Sequence, residues 1–218
     1  MTHINKGKPF PLGSSLTSKG VNFSLVATNA EYVEILLFEK EDSISPETIL
    51  RLDNKHNTGP YWHAEIRNLK EGCIYAYRVK QKNNGINNNY DKKVLIDPCS
   101  RGITGWESYK RENALKKHEN TNSCLKSVVC DRKLFNFKDY PRPKHSWEET
   151  IIYELHIKAF TESIDNDESC FKRFLKKIPY LKELGITTIE LLPIFCFDPT
   201  DAPNGLENFW GYSPINWF

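Results

Sequence analysis

The side chains best suited to proton-transfer chemistry cluster in the last third of the chain: Glu154, His156, Glu190 and Asp198. Glu154 and His156 stand two positions apart in the run Ile151-Ile152-Tyr153-Glu154-Leu155-His156-Ile157. On an extended strand that spacing puts both on one face, where they could form an acid–base pair. The favoured reading is structural, a buried and hydrogen-bonded couple, because charges taken out of water need partners. A second group is aromatic, Trp210-Gly211-Tyr212 within Asn208-Phe209-Trp210-Gly211-Tyr212-Ser213-Pro214. Tyr61, Trp62, Tyr75, Tyr77 and Trp106 could make a further patch of rings, but Trp62 and the Tyr75/Tyr77 pair fall on strand periodicity and read as core. His63, His118 and His145 lack metal-ligand spacing, and the six cysteines contain no C-x-x-C pair. No metal, cofactor or disulfide scaffold is therefore expected, and the thiols read as reduced and inert.

The elements that must position these residues are legible. From Gly20 to about Lys80 apolar residues alternate in short runs: Val21, Phe23, Leu25; Val33, Ile35, Leu37; Trp62, Ala64, Ile66; Tyr75, Tyr77, Val79. Strands at that spacing predict an all-β sandwich. Asn83 to Asn89 reads as an exposed loop, and 106–146, with few periodic signals, as a connector in which Val128-Val129 and Leu134 to Phe137 could pack locally. Pro141-Arg142-Pro143 stiffens its end.

From Trp147 the pattern changes. Two apolar β-type runs, Ile151 to Ile157 and Ile186 to Leu192, flank a helical stripe of Phe171, Phe174, Leu175, Ile178, Leu181 and Leu184, with Lys172, Arg173, Lys176 and Lys177 on the other side. This predicts a βαβ unit with parallel strands. Gly185 sits where a helix ends in the left-handed conformation, and Pro179 predicts a kink or a fresh helical start. Thr188 to Leu192, short and mostly apolar, predicts a strand covered on both faces.

The bulk numbers exclude several classes. Of 218 residues, 30 are basic and 28 acidic, a net +2 that gives no broad footprint for nucleic acid or an anionic membrane. No apolar run approaches the roughly 18 to 20 residues of a membrane span, and Met1 to Gly13 lacks the apolar core of a secretory signal. A cytoplasmic protein is expected, and Asn22-Phe23-Ser24 is read as a chance match to a glycosylation acceptor.

Several motifs resemble a known family. Gly7-Lys8-Pro9-Phe10-Pro11-Leu12-Gly13, Gly20 to Ser24, Tyr75-Ala76-Tyr77-Arg78-Val79 and Leu95-Ile96-Asp97-Pro98-Cys99 resemble the N-terminal module of isoamylases and glycogen-debranching enzymes. Ile151 to Lys158, Ile178-Pro179-Tyr180-Leu181-Lys182-Glu183-Leu184-Gly185, Glu190-Leu191-Leu192-Pro193 and Trp210-Gly211-Tyr212-Ser213-Pro214 resemble the opening of the catalytic barrel of glycoside hydrolase family 13. The matches run in family order from Gly7 to Phe218.

The resemblance implies a mixed fold: an immunoglobulin-like β-sandwich over 1–105, a connector over 106–146, and over 147–218 the first βαβ unit of an incomplete (β/α)8 barrel. It implies hydrolysis of α-1,6 branch links in glycogen or a starch-like glucan through a covalent glycosyl intermediate. The family's catalytic carboxylates come from later strands, so no catalytic residue is assigned within this chain, which alone is expected to be inactive. By the same resemblance Tyr212 is a platform on which a glucose ring stacks, and Trp210 helps shape its loop. The sequence departs from the family in two places: Ser169-Cys170-Phe171-Lys172-Arg173 stands where a glycine-rich stretch is usual, and Ala159 replaces a common glycine. Two alternatives stay open, a non-catalytic α-glucan-binding protein and one subunit of a split enzyme whose barrel a second polypeptide completes.

Overall fold

A computed structural model of the chain describes residues 3–82, 92–131, 137, 140–162 and 168–216. The chain divides into two compact units, residues 1–135 with 216–218, and residues 136–215.

In the first unit two antiparallel sheets enclose one core. One sheet runs β1 (Ile4–Lys6), β7 (Tyr61–Arg67), β3 (Gly20–Val26) and β2 (Gly13–Leu16), with β6 (Asn57–Thr58) paired to β7. The other runs β5 (Thr48–Leu52), β4 (Ala30–Phe38), β8 (Ile74–Gln81), β10 (Lys126–Val128) and β9 (Gly102–Thr104). The alternating residues meet as the periodicity predicts. Val21, Phe23 and Leu25 join Trp62, Ala64 and Ile66 from one sheet, and Val33, Ile35, Leu37, Tyr75 and Tyr77 close on them from the other. Burying each large apolar side chain of this kind contributes about 1.5–3 kcal/mol.

The second sheet is buried on its outer face as well, because Val94 and Cys124 pack on Leu36, Phe38 and Ala76. Lys126–Val128, inside the stretch expected as a connector, is thus a sheet strand, paired with β8 and β9. A short helix, α1 (Arg111–Leu115), precedes it. The expectation missed this because a three-residue strand is too short to show a period. The asparagine-rich stretch 83–89 and residues 134–136 lie outside the described residues.

The second unit is a βαβ arrangement. β11 (Ile152–Leu155) and β12 (Thr188–Leu191) pair in parallel, Ile152 against Thr188 through Leu155 against Leu191. Between them run α2 (Ile157–Thr161) and α3 (Cys170–Glu183). Leu155, Ile157, Phe174 and Leu181 form the core, with Tyr153, Ile178 and Ile189 packed against it. Gly185 ends α3 as expected: its φ is +88°, its N–H donates to Lys182 O, and Ile186 N–H reaches Leu181 O at 3.0 Å, a pairing that satisfies the last carbonyls.

Several expectations are corrected. α3 runs through Pro179 as one helix with no fresh start; the proline ring faces solvent. Phe171, Leu175 and Leu184 are at least half exposed, so the buried stripe narrows to Phe174, Ile178 and Leu181. Arg173 is buried instead of lying on the solvent side, its guanidinium donating to Glu168 O at 2.7 Å. β12 is not covered on both faces: Thr188, Glu190 and Leu191 are exposed, since the helices cover one side of the strand pair.

The departure at Ser169 has a local explanation. Its hydroxyl accepts the Lys172 N–H and its φ and ψ are −59° and 146°, the N-cap of α3. Among the described residues no helix is long and apolar enough to cross a membrane.

Candidate functional site

β11 ends at Leu155, and His156, its backbone still extended at φ −97° and ψ 118°, caps the helix that follows. Its Nδ1 accepts the Ala159 N–H at 3.2 Å, so α2 starts one residue after the strand stops. This corrects the pairing expected of Glu154 and His156. Glu154 is exposed on the strand, whereas the imidazole turns toward the helix, so the two are not the buried couple foreseen.

The chain after β12 returns to the same end of the strand pair. Leu192 N–H donates to Leu155 O at 3.0 Å, prolonging the ladder by one bond. The loop that follows is closed on itself by a bridge between Phe197 and Pro214 and by Ile215 N–H on Cys196 O at 2.8 Å. Asp198, a candidate acid by composition, is a turn former. It is 1% exposed, and its Oδ1 accepts from Thr200 N–H and Oγ1–H at 2.8 and 2.6 Å. Glu190 is exposed on β12.

Within this loop Gly211 has φ +80°, and a Cβ there would meet the Phe197 ring at 3.0 Å. Its N–H donates to Asn208 Oδ1 at 3.1 Å. That tight corner sets the direction of the aromatic run. Phe209 stacks on His156 with centroids 4.8 Å apart and planes at 27°, and Trp210 meets both rings edge on, at 5.8 Å from His156 and 5.5 Å from Phe209. Lys158 Nζ lies 5.4 Å over Phe209.

Of these residues, His156 and Trp210 border a cleft of about 530 Å³, lined also by Tyr153, Glu154, Leu155, Ala159, Phe160 and Leu192. It opens at the C-terminal ends of two parallel strands, where the loops of α/β folds carry ligand-binding groups. Trp210 is 55% exposed and lines it; Tyr212 is 65% exposed on the same loop and is not among the lining residues. Sequence reasoning did not single out Phe209 or Phe160. Phe209 adjoins Trp210 in an aromatic run, which was the available signal.

The rings of the first unit do not form a surface patch. Trp62, Tyr75 and Tyr77 are buried, and Trp62 Nε1–H donates to Ala27 O. Tyr75 O–H donates to the buried Asp97 Oδ2 at 2.8 Å, and burial holds its phenol well above the usual range. Asp97 Oδ1 accepts the Cys99 N–H, and Asp97 N–H donates to Ser127 Oγ. Tyr61 packs on Phe10 at 4.7 Å, and Trp106 on Tyr109 at 5.8 Å. A smaller apolar cavity of about 230 Å³ beside Asp97 is lined by Leu12, Leu25, Val26 and Pro98 among others.

His63 is buried with Nε2 2.8 Å from Thr58 Oγ1, while His118 and His145 are exposed. Among the described residues no group of three or more His, Cys, Asp or Glu could hold a metal ion. No disulfide joins the six cysteines; burial pushes the Cys73 thiol up to about 11, the direction that quiets a nucleophile.

With sheets, core and cleft in place, comparison with known proteins shows what the chain is similar to. Residues 11–100, within the sandwich, match the family model of carbohydrate-binding module 48, the isoamylase N-terminal domain. Along its length the chain is similar to glycogen debranching enzymes. It is 34% identical over 234 aligned residues to the glycogen debranching enzyme of Erwinia tasmaniensis, covering 99% of this chain and 34% of that protein. It is 32% identical to the one from Klebsiella pneumoniae, covering all of this chain and 34% of the relative. The chain thus spans about a third of the length of these curated relatives.

Among solved structures, the catalytic module of SpuA, a glycogen-degrading pneumococcal virulence factor, superposes with a TM-score of 0.69 at 19% identity over 97% of this chain and 32% of its own. A pullulanase mutant from Paenibacillus barengoltzii complexed with maltotriose gives 0.68 at 21% identity, over 95% of this chain and 32% of its own. At these identities the likeness is one of fold.

Proposed function

We propose that this chain is part of an isoamylase-type debranching enzyme that hydrolyses α-1,6 branch links in glycogen or a starch-like glucan, and that residues 147–218 open its (β/α)8 barrel. The single observation that carries the reading is the cleft at the C-terminal ends of β11 and β12, open to solvent and bordered by an exposed tryptophan. A sugar ring presents a flat C–H face that stacks on such an aromatic. Trp210 supplies that face in the cleft, and Tyr212 extends the aromatic surface along the same loop. No residue here is assigned as a catalytic carboxylate, and the place of action is the cytoplasm. The sandwich, whose residues 11–100 match a carbohydrate-binding module, is the second candidate contact with α-glucan.

The uncovered side of the strand pair favours further strands beside β11 and β12, supplied by more of the same polypeptide or by a second one. A parallel sheet is stable when both its faces are covered. The non-catalytic alternative, an α-glucan-binding protein, needs only the module and the cleft.

The test is a chimera in which residues 1–218 replace the aligned third of the Erwinia tasmaniensis relative. Release of reducing ends from a branched glucan is expected, with a loss of tenfold or more in Trp210→Ala. A folded chimera that binds glucan without cleaving it would leave the binding-protein reading in place of the enzymatic one.

A further inference from the structure

We infer that His156 is a ligand-contacting residue of the cleft: an imidazole whose Nε2–H donates a hydrogen bond to a hydroxyl of the glucose unit stacked on Trp210. The inference rests on the reading of the cleft as an α-glucan site. It begins with the tautomer. Nδ1 accepts the Ala159 N–H at 3.2 Å, so that nitrogen carries the lone pair and the ring N–H resides on Nε2. The two ring nitrogens diverge, so an imidazole tied to the backbone through Nδ1 turns Nε2 away from it. Nδ1 accounts for the hydrogen bonding of this side chain, which leaves the Nε2–H available as a donor.

The ring is held in place from two further sides, by the stacked Phe209 and by the edge of Trp210. Its position is therefore set before any ligand arrives, which lowers the ordering cost of binding. His156 and Trp210 line the same cleft. Sugar recognition needs both of the things they offer, an aromatic plane for the C–H face of a pyranose and a fixed donor for the hydroxyls at its rim.

The discriminating experiment is titration of the 218-residue chain with maltoheptaose, followed by calorimetry, in two substitutions that separate the ring nitrogens. Asparagine keeps an acceptor near the Nδ1 position and caps helices well, but has no group at Nε2. Glutamine carries an amide N–H near the Nε2 position and gives up the cap. His156→Asn is expected to bind at least fivefold more weakly, with amide protection in α2 unchanged, and His156→Gln to recover most of the affinity.

A purely structural histidine gives the opposite order, and parental affinity in His156→Asn overturns the inference. Binding abolished by Trp210→Ala yet untouched by His156→Asn sinks this inference alone. No binding by the parent chain, or binding indifferent to Trp210→Ala, sinks the glucan reading of the cleft together with it.

Discussion

Asp97 and His63 show what single buried polar residues do in the sandwich. Asp97 ties three segments together, accepting from Tyr75 and Cys99 and donating through its backbone to Ser127. The motif Leu95-Ile96-Asp97-Pro98 therefore has a structural reason for its residue types, since a buried carboxylate is tolerated where donors converge on it. His63 is buried with Thr58 as its partner, and its pKa is lowered first by burial and then by the charge of Lys6. A folded-state pKa below the ordinary 6.5 means that the unfolded chain binds the proton more readily. The contribution is thus whole above pH 6.5 and lost as pH falls through the folded value. Urea midpoints are expected to decline between pH 7.5 and 5, and His63→Gln to flatten that decline. An equal slope in the variant would assign the decline to other groups.

At the scale of elements, the strand pair of the second unit carries an unresolved electrostatic conflict. Glu154 and Glu190 are register partners in β11 and β12, so their side chains share the face away from the helices, where both are exposed. Like charges side by side on a sheet cost stability, by about 0.2–1 kcal/mol for cross-strand neighbours. Glu190→Gln should therefore raise the unfolding midpoint of this unit by an amount of that order, and the gain should shrink in 1 M salt, where the screening length is about 3 Å. A gain that persists undiminished in salt would point to packing. Ser169 and Gly185 bracket α3 with the N-cap and C-terminal geometry their residue types favour.

Each of the two units has a core of its own. The principal sandwich cluster and the cluster of Leu155, Ile157, Phe174 and Leu181 share no residue. Leu181, 1% exposed, anchors the smaller one. Leu181→Ala removes a buried leucine at a cost of about 2–5 kcal/mol. Hydrogen exchange is expected to show protection lost in α3 and β12, with β3, β4 and β7 unchanged. Loss of protection throughout would mean that the units unfold as one.

The sequence by itself determined the inner faces of the sandwich, the helix between two parallel strands and the left-handed end of that helix. These follow from periods of two and of 3.6 and from a glycine, which are local properties of the backbone. It also carried motifs like those of the isoamylase N-terminal module, whose family model residues 11–100 match. Only the tertiary structure decided the rest. Lys126–Val128 becomes a strand because β8 offers it an open edge, and three residues have no period to read. Which part of the helical stripe is buried depends on what covers it, and that is why Phe174 and Leu181 are inside while Leu175 is not. The aromatic cleft joins His156 to Phe209 and Trp210 across more than fifty residues of chain. No local pattern encodes that meeting; it arises because parallel pairing sets the ends of β11 and β12 side by side.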